Sequence, residues 1–549
     1  MRVYSSRDCH SAAVNLSVPP HPPLIGPDHL AQTLRAIVDR NGLSQGLVVG
    51  VRRFQVSQTD TSACSNARKQ HYLVANTDYS CDRIDLTVPS RILQLVSLSI
   101  GAIIWWWPVP GGVATEAWQL FAVFLAAIFA VVSGAASILL ASIVALVVVV
   151  LTGVLDPQRA YGGFSQGFIL LIVVAFLVGR GVINSGLGAR IGYLLVSVFG
   201  HSSLGLAYSV VATDALIAPA FPSNTARSGV IYPIVYSLAE SNGSHPDSAT
   251  RKRLGAFLML TAMAGLGLSS GLWLTAMAAN PIGVAMAANY GVEITFGSWL
   301  LASSVPTLTA MVLVPLLLYK LFPPGMSKTP EAPAAASRRL KELGPMSGKE
   351  WITLATFVGM VAGWGLSSKY SLDPTAIAFL GLAVLMVSGI FTHKDIKASG
   401  DALETLSWFA ILFTLSSELD RLGFMAYVGE LLGTHMVGLG TVITYVALVA
   451  IYVLVHYLFV SQTAHLLALY AVFLSLSQPE VPVELMAMML LLATNFFSTI
   501  TPQASSANVI FMGSGYLEAG EVYRYGALTT LVCFLIFLII GSPWILWVL

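Results

Sequence analysis

Two short stretches carry the polar chemistry of this chain: Ser223-Asn224-Thr225-Ala226-Arg227 and Ser461-Gln462-Thr463-Ala464-His465. Each lies in a long apolar region and is followed by a second polar element. These are Thr275-Ala276-Met277-Ala278-Ala279-Asn280 after the first, and Thr501-Pro502-Gln503-Ala504-Ser505-Ser506-Ala507-Asn508 after the second. Hydroxyls and amides are costly in hydrocarbon unless they line a cavity or bind something. Pro219 and Pro222 remove backbone donors ahead of the first motif and break a helix there. A fresh helix N-terminus then begins, with free N–H groups and a partial positive charge that suit a carboxylate. Two matched sites of this kind suit a substrate with a carboxylate at each end, such as a four- or five-carbon dicarboxylate. Arg227 and His465 close the two motifs at the same position. Residues four apart share a helix face, so each side chain is expected to reach back to the site that its motif builds. The guanidinium stays charged and the imidazole can titrate. Asp214, ahead of the first break, is an acid that could pair with Arg227. His456 lies nine residues before His465, which is no metal-ligand spacing on a helix.

Composition says where these motifs sit. The chain has 549 residues, of which 56% are hydrophobic and only 10% charged. A soluble protein carries about 25% charged residues, so this is an integral membrane protein. A net charge of +1 points to no nucleic-acid partner. Cys9, Cys64, Cys81 and Cys533 offer neither a disulfide framework nor metal-ligand spacing. Residues 1–87 form a polar head with no apolar run resembling a signal peptide, and its seven Asp argue against an organelle transit peptide. The head is expected to be a disordered extension or the product of a mis-called start. No Met occurs between Met1 and Met259, so a shorter product would need another start codon, for instance near Val88.

From Ile92 onward apolar segments follow one another quickly. Those near 204–236, 254–292, 438–477 and 483–515 are too long for one straight span of ~20 residues, and are expected to be broken helices or hairpins. The stretch 322–350, rich in Pro, Lys and Arg, separates the two halves and is placed in the cytoplasm by its excess of Lys and Arg. The expected organisation is a first transport repeat over 88–321, this linker, and a second repeat over 351–549. A second echo supports a repeat. Phe176 to Leu187 and Phe413 to Phe424 are both apolar runs that stop at a charged turn containing glycine, about 40 residues before the motifs. Arg180 and Glu418 are expected where such a hairpin bends back. The fold class is therefore an all-α polytopic membrane protein with two inverted repeats.

Four segments together are specific: SNTAR with its preceding prolines, HYLFVSQTAH (His456 to His465), TPQASSAN, and GSGY (Gly513 to Tyr516). They resemble the divalent anion/sodium symporter family, in its 2-oxoglutarate/malate translocator and citrate/succinate antiporter branch, over about residues 90–549. The resemblance implies about eleven transmembrane helices plus two re-entrant hairpins, with scaffold and transport domains of the elevator type, and a homodimer. It also implies that the Ser-Asn-Thr motifs contact substrate carboxylates and two sodium ions, with the Thr275–Asn280 and Thr501–Asn508 loops completing each sodium site. The expected binding residues are Ser223, Asn224, Thr225, Thr275 and Asn280 in one half, and Ser461, Gln462, Thr463, Thr501 and Pro502 in the other. Gln462 stands where the family has Asn, Ala276 where it has Gly, and Pro219 where sodium-coupled relatives have a hydroxyl. Those relatives also carry small residues at the positions of Arg227 and His465. The expectation is sodium-independent antiport of di- or tricarboxylates, with these two side chains supplying the charge of the coupling cation and no metal or cofactor. A sodium-coupled symporter is the alternative. An empty carrier holding that charge would cross slowly, which favours exchange. The clusters lack acidic partners that would activate a nucleophile, so no enzyme is expected. The membrane is a bacterial inner membrane or, as the alternative, a plastid inner envelope.

Overall fold

The computed structural model describes residues 90–246, 249–433, 440–477 and 481–549, and the expectations for residues 1–87 lie outside them. The described residues hold eight helices long and apolar enough to cross a membrane. The fold is all-α. The described residues open with three apolar helices, α1 (Ser90–Trp106), α2 (Thr115–Val132) and α3 (Ile138–Leu151). The next series runs α4 (Gly167–Ser185), α5 (Leu187–Phe199), α6 (Ser203–Ile217), α7 (Asn224–Ser241), α8 (Gly255–Leu272), α9 (Ala279–Ala288) and α10 (Phe296–Leu321).

After α11 (Glu331–Leu343), α12 (Gly348–Tyr370) and α13 (Pro374–Val387), the same order returns. It runs α14 (Gly400–Arg421), α15 (Phe424–Gly433), α16 (Thr441–Val455), α17 (Gln462–Ser477), α18 (Val483–Phe496), α19 (Ser506–Met512) and α20 (Ala519–Ile536). The four overlong apolar stretches are each broken at the polar motif they carry. Short 3-10 turns mark the breaks at Ala218–Ala220, Leu274–Ala276, His456–Leu458 and Phe497–Thr499.

The echo around Phe176 and Phe413 is real but bends elsewhere than expected. Gly186 and Gly423 both adopt φ +80°, the left-handed conformation that glycine reaches without steric cost, and each joins two helices. Arg180 and Glu418 lie inside α4 and α14, not at the bends. Glu418 bonds Arg421 one turn along.

The hairpins that carry the motifs at their tips are instead α6–α7 and α16–α17. Helices α6 and α16 have 15 residues each, about 22 Å at 1.5 Å per residue. Each runs straight on into its 3-10 turn to make an 18-residue apolar span, Ser203–Ala220 and Thr441–Leu458, and the chain turns at the motif that follows. Such a turn is tolerated where protein or a water-filled cavity surrounds it.

Two helices form the centre. Every residue of α8 is buried, as is every residue of α18 from Leu485 to Phe496. A helix apolar on all sides belongs in a core, and α8 packs on α6, α7, α10 and α18. Within 322–350, α11 lies against α5. There Arg190, on α5, donates to the carbonyl of Gly344 (2.9 Å) and to both carboxylate oxygens of Glu350.

Candidate functional site

Both motifs begin helices. The Ser223 hydroxyl caps α7 by accepting from the Ala226 N–H (3.2 Å), and Ser461 caps α17 by accepting from Ala464 (3.3 Å). A capping hydroxyl satisfies one orphan N–H and leaves the others pointing outward. The two tips touch. The Asn224 amide Nδ2 donates to Gln462 Oε1 at 3.1 Å, and the hydroxyls of Thr225 and Ser506 lie 2.5 Å apart. Together the tips form one wall of a cavity of about 610 Å3, which Ser223, Asn224, Thr225, Ser461, Gln462 and Thr463 all line. The N-terminal residues of α19, Ser505 and Ser506, complete that wall. The rest of the lining includes Phe176, Gly179 and Arg180 of α4 and Asp401, Thr405 and Trp408 of α14.

The other four expected residues stand behind the wall. Thr275 donates to the Pro219 carbonyl (3.0 Å) and so ties the break after α8 to the first tip. Asn280 Nδ2 donates to the carbonyls of Ser270 (3.0 Å) and Trp273 (3.3 Å), ten and seven residues earlier. Asn508 makes the same pair of bonds at the same separations, to Ser498 (2.6 Å) and Thr501 (2.9 Å). The two asparagines therefore hold equivalent helix breaks open. This register sets Thr501 opposite Trp273 and Gln503 opposite Thr275, so the two threonines are not counterparts. Thr501 is buried and its hydroxyl lacks a partner among the described residues. Pro502 is half-buried beside it, outside the cavity lining.

Arg227 and His465 depart most from expectation, because neither lines the cavity. Arg227 is fully buried behind the first tip. Nη1 donates to Asp214 Oδ2 (3.3 Å) and Ser269 Oγ (2.8 Å), and Nη2 to Asn224 Oδ1 (2.6 Å), the Leu266 carbonyl (3.0 Å) and the Ser270 hydroxyl. Ser269 also donates to Asp214. The guanidinium thus sits among oxygens of the kind that bind hard cations, and its N–H groups take them up. These residues as arranged do not fit a sodium ion as well. The Asp214 carboxylate cancels the charge of Arg227, so the expected permanently cationic empty site is not what these side chains build. The role left to Arg227 is to orient an amide. With Oδ1 of Asn224 held by Arg227 and by the Ser270 hydroxyl (2.6 Å), its NH2 group is left to face Gln462. Gln462 in turn donates from Nε2 to the Thr494 carbonyl (2.7 Å).

His465 lies in an aromatic box, edge-on to Tyr452 with ring centroids 4.3 Å apart, beside Phe459 and Phe497. Its Nδ1 is 3.4 Å from Nδ1 of His456, whose Nε2 donates to the Ala504 carbonyl (2.9 Å). Nine residues along one helix would part the two rings, but a 3-10 turn and a helix start fall between them and bring them together.

The motifs gave no hint of Arg180, Asp401, Thr405 and Trp408. Arg180 was legible as a lone cation in an apolar run, though its cavity-facing direction depends on packing that no local pattern records. Near it, Asp395 is held below the usual carboxylate range, chiefly by the Thr392 hydroxyl and next by the Asn184 amide. The contact between Thr225 and Ser506 invites a direct check. Thr225→Val keeps the shape and deletes the hydroxyl, and should raise the half-saturation concentration of transported substrate several-fold. The melting temperature should shift little, since one exposed neutral hydrogen bond contributes only about 0.5–1.5 kcal/mol.

The family model described as sodium:sulfate symporter transmembrane region matches residues 90–549. The Bacillus subtilis protein YflS is 38% identical over 453 residues, 82% of this chain and 95% of its own length. Dicarboxylate transporter 1, chloroplastic, of Arabidopsis thaliana is 38% identical over 456 residues, 82% of each chain. The L-tartrate/succinate antiporter of Escherichia coli is 31% identical over 476 residues, 82% of this chain and 97% of its own.

Proposed function

We propose, for a chain that belongs to the sodium:sulfate symporter family (the divalent anion/sodium symporters), the exchange of dicarboxylates across a membrane without sodium. The protein is a multi-pass membrane transporter and not an enzyme. Relatives named for dicarboxylates and for tartrate and succinate support small carboxylate dianions as its substrates.

One observation carries the sodium-independent part: the guanidinium of Arg227 occupies the oxygen cage behind the first tip. A cation fixed by covalent bonds needs no ion to load before the substrate. In each half, a capped helix start and its neighbouring hydroxyls meet one carboxylate. Each N-terminus supplies about half a positive charge. Empty tips hold these donors hydrated, whereas a bound dianion displaces that water and pairs with the donors and the two N-termini. That difference favours exchange over net uptake, in place of the charge of Arg227, which Asp214 neutralises. A homodimer in a bacterial inner membrane belongs to the same proposal.

Counterflow in proteoliposomes tests it. With choline replacing sodium on both sides, labelled succinate or malate should enter vesicles preloaded with unlabelled acid and should not enter empty ones. Uptake that requires a sodium gradient and no internal acid overturns the proposal in favour of symport.

A further inference from the structure

With Arg227 turned away and paired, the cavity keeps a single cation, Arg180, and a single acid, Asp401, among its described lining residues. Neither belongs to a motif. We infer that Arg180 is a substrate-contacting residue that reads a polar group carried between the two terminal carboxylates, and that Asp401 disfavours a third full negative charge there. This rests on the proposed dicarboxylate exchange and adds to it a basis for choosing among carboxylates.

Position comes first. Arg180 follows Gly179, the point where α4 meets the first tip most closely. A Cβ on Gly179 would lie 2.8 Å from the Ala220 carbonyl oxygen and 2.9 Å from the Phe221 ring. This contact seats α4 against the first tip, and Arg180 lines the cavity together with Ser223 while belonging to neither tip. The two carboxylates of a dianion are met by the two tips, so the guanidinium is left to address the atoms between them.

Chemistry comes second. Arg180 is exposed to the cavity and makes no salt bridge among the described residues. The nearby Asp395 has its oxygens engaged already: Oδ2 by the Thr392 N–H (2.8 Å) and hydroxyl (2.7 Å), and Oδ1 by the Asn184 amide (2.9 Å). A guanidinium offers a planar fork of donors suited to a hydroxyl or oxo group beside a carboxylate. Asp401 heads α14 and likewise makes no salt bridge among the described residues. A neutral 2-hydroxyl or 2-oxo group gains from Arg180 without opposition, whereas a third carboxylate is attracted by Arg180 and repelled by Asp401. The site should therefore favour 2-hydroxy and 2-oxo dicarboxylates over both plain dicarboxylates and tricarboxylates.

The test is competition against labelled succinate exchange, using unlabelled succinate, malate, 2-oxoglutarate and citrate on wild type, Arg180→Gln, Arg180→Lys and Asp401→Asn. In the wild type, malate and 2-oxoglutarate should compete better than succinate. Arg180→Gln should erase that preference, a selective loss of roughly tenfold or more, as for one charge-assisted hydrogen bond, and Arg180→Lys should restore part of it. Asp401→Asn should improve citrate relative to malate. Thermal-shift titration of the detergent-solubilised variants with the same four acids reads the ratios even if a variant no longer transports. Equal weakening of all four acids by Arg180→Gln, or unchanged ratios, overturns the assignment. A wild type that exchanges none of them overturns the dicarboxylate proposal itself, and this assignment with it.

Discussion

Arg227→Ala is expected to abolish exchange and to lower stability by about 3–5 kcal/mol, the loss incurred when one partner of a buried ion pair is removed. Asp214 is 1% exposed and would keep an uncompensated carboxylate in the protein interior. Its Oδ1 already lacks a hydrogen-bond partner, and the substitution would strip Nη1 of Arg227 from Oδ2. Asn224 would lose the donor that fixes its amide, and with it the orientation toward Gln462. Lysine should not rescue the variant, because one ammonium cannot reach Asp214, Ser269, Asn224, Ser270 and the Leu266 carbonyl together. Exchange in proteoliposomes and melting temperature in detergent separate the two effects. In the double variant Asp214→Asn, Arg227→Gln, most of the stability should return because no buried charge is left, while exchange should stay lost. Exchange surviving in Arg227→Ala would show that the guanidinium has no part in building the site.

The second large effect is expected at a residue that belongs to no motif. Gly526, on α20, faces the turn Phe497–Thr499, and a Cβ there would lie 1.9 Å from the Thr499 carbonyl oxygen. The obstacle is backbone, so no side-chain rotation can relieve it. Gly526→Ala must separate α20 from the break between α18 and α19 or distort that break. Overpacking of this kind costs typically about 1–3 kcal/mol, and more when the backbone must move. Because the break carries Thr501 and the bonds of Asn508, exchange should fall along with the melting temperature. Gly520→Ala on the same helix is the control. Nothing lies within 4 Å of its added methyl, so it should be neutral or stabilise by up to about 1 kcal/mol. Normal melting and transport in Gly526→Ala would show that α20 does not press on the break as described.

Much of the fold was legible because hydropathy and chain length act locally. Apolar stretches longer than a bilayer, with prolines and amides at their centres, had to break, and they break at the motifs. The two Ser-led motifs were legible for the same reason, since a hydroxyl ahead of a helix start has few other uses in hydrocarbon. Direction was the part that sequence could not supply. Arg227 lies four residues past Ser223, so a helical face suggested that it points to the substrate. The outcome depends instead on Asp214 and on Ser269 and Ser270, which arrive from other helices. The equivalence of the two later loops likewise runs through the side-chain bonds of Asn280 and Asn508, which no residue pattern records. Arg180 shows the converse case. Its place in the cavity follows from how closely α4 approaches Phe221, and that depends on the glycine beside it.

The bond between Asn224 and Gln462 joins residues 238 positions apart. During synthesis the first tip exists long before its counterpart. Until α17 and α19 arrive, the Asn224 NH2 group and the Thr225 hydroxyl lack the partners that Gln462 and Ser506 supply. The binding site is thus completed only late in the nascent chain, once α17 and α19 have emerged. A chain with a damaged second half would expose the polar groups of the first tip together with the face of α8 that α18 covers.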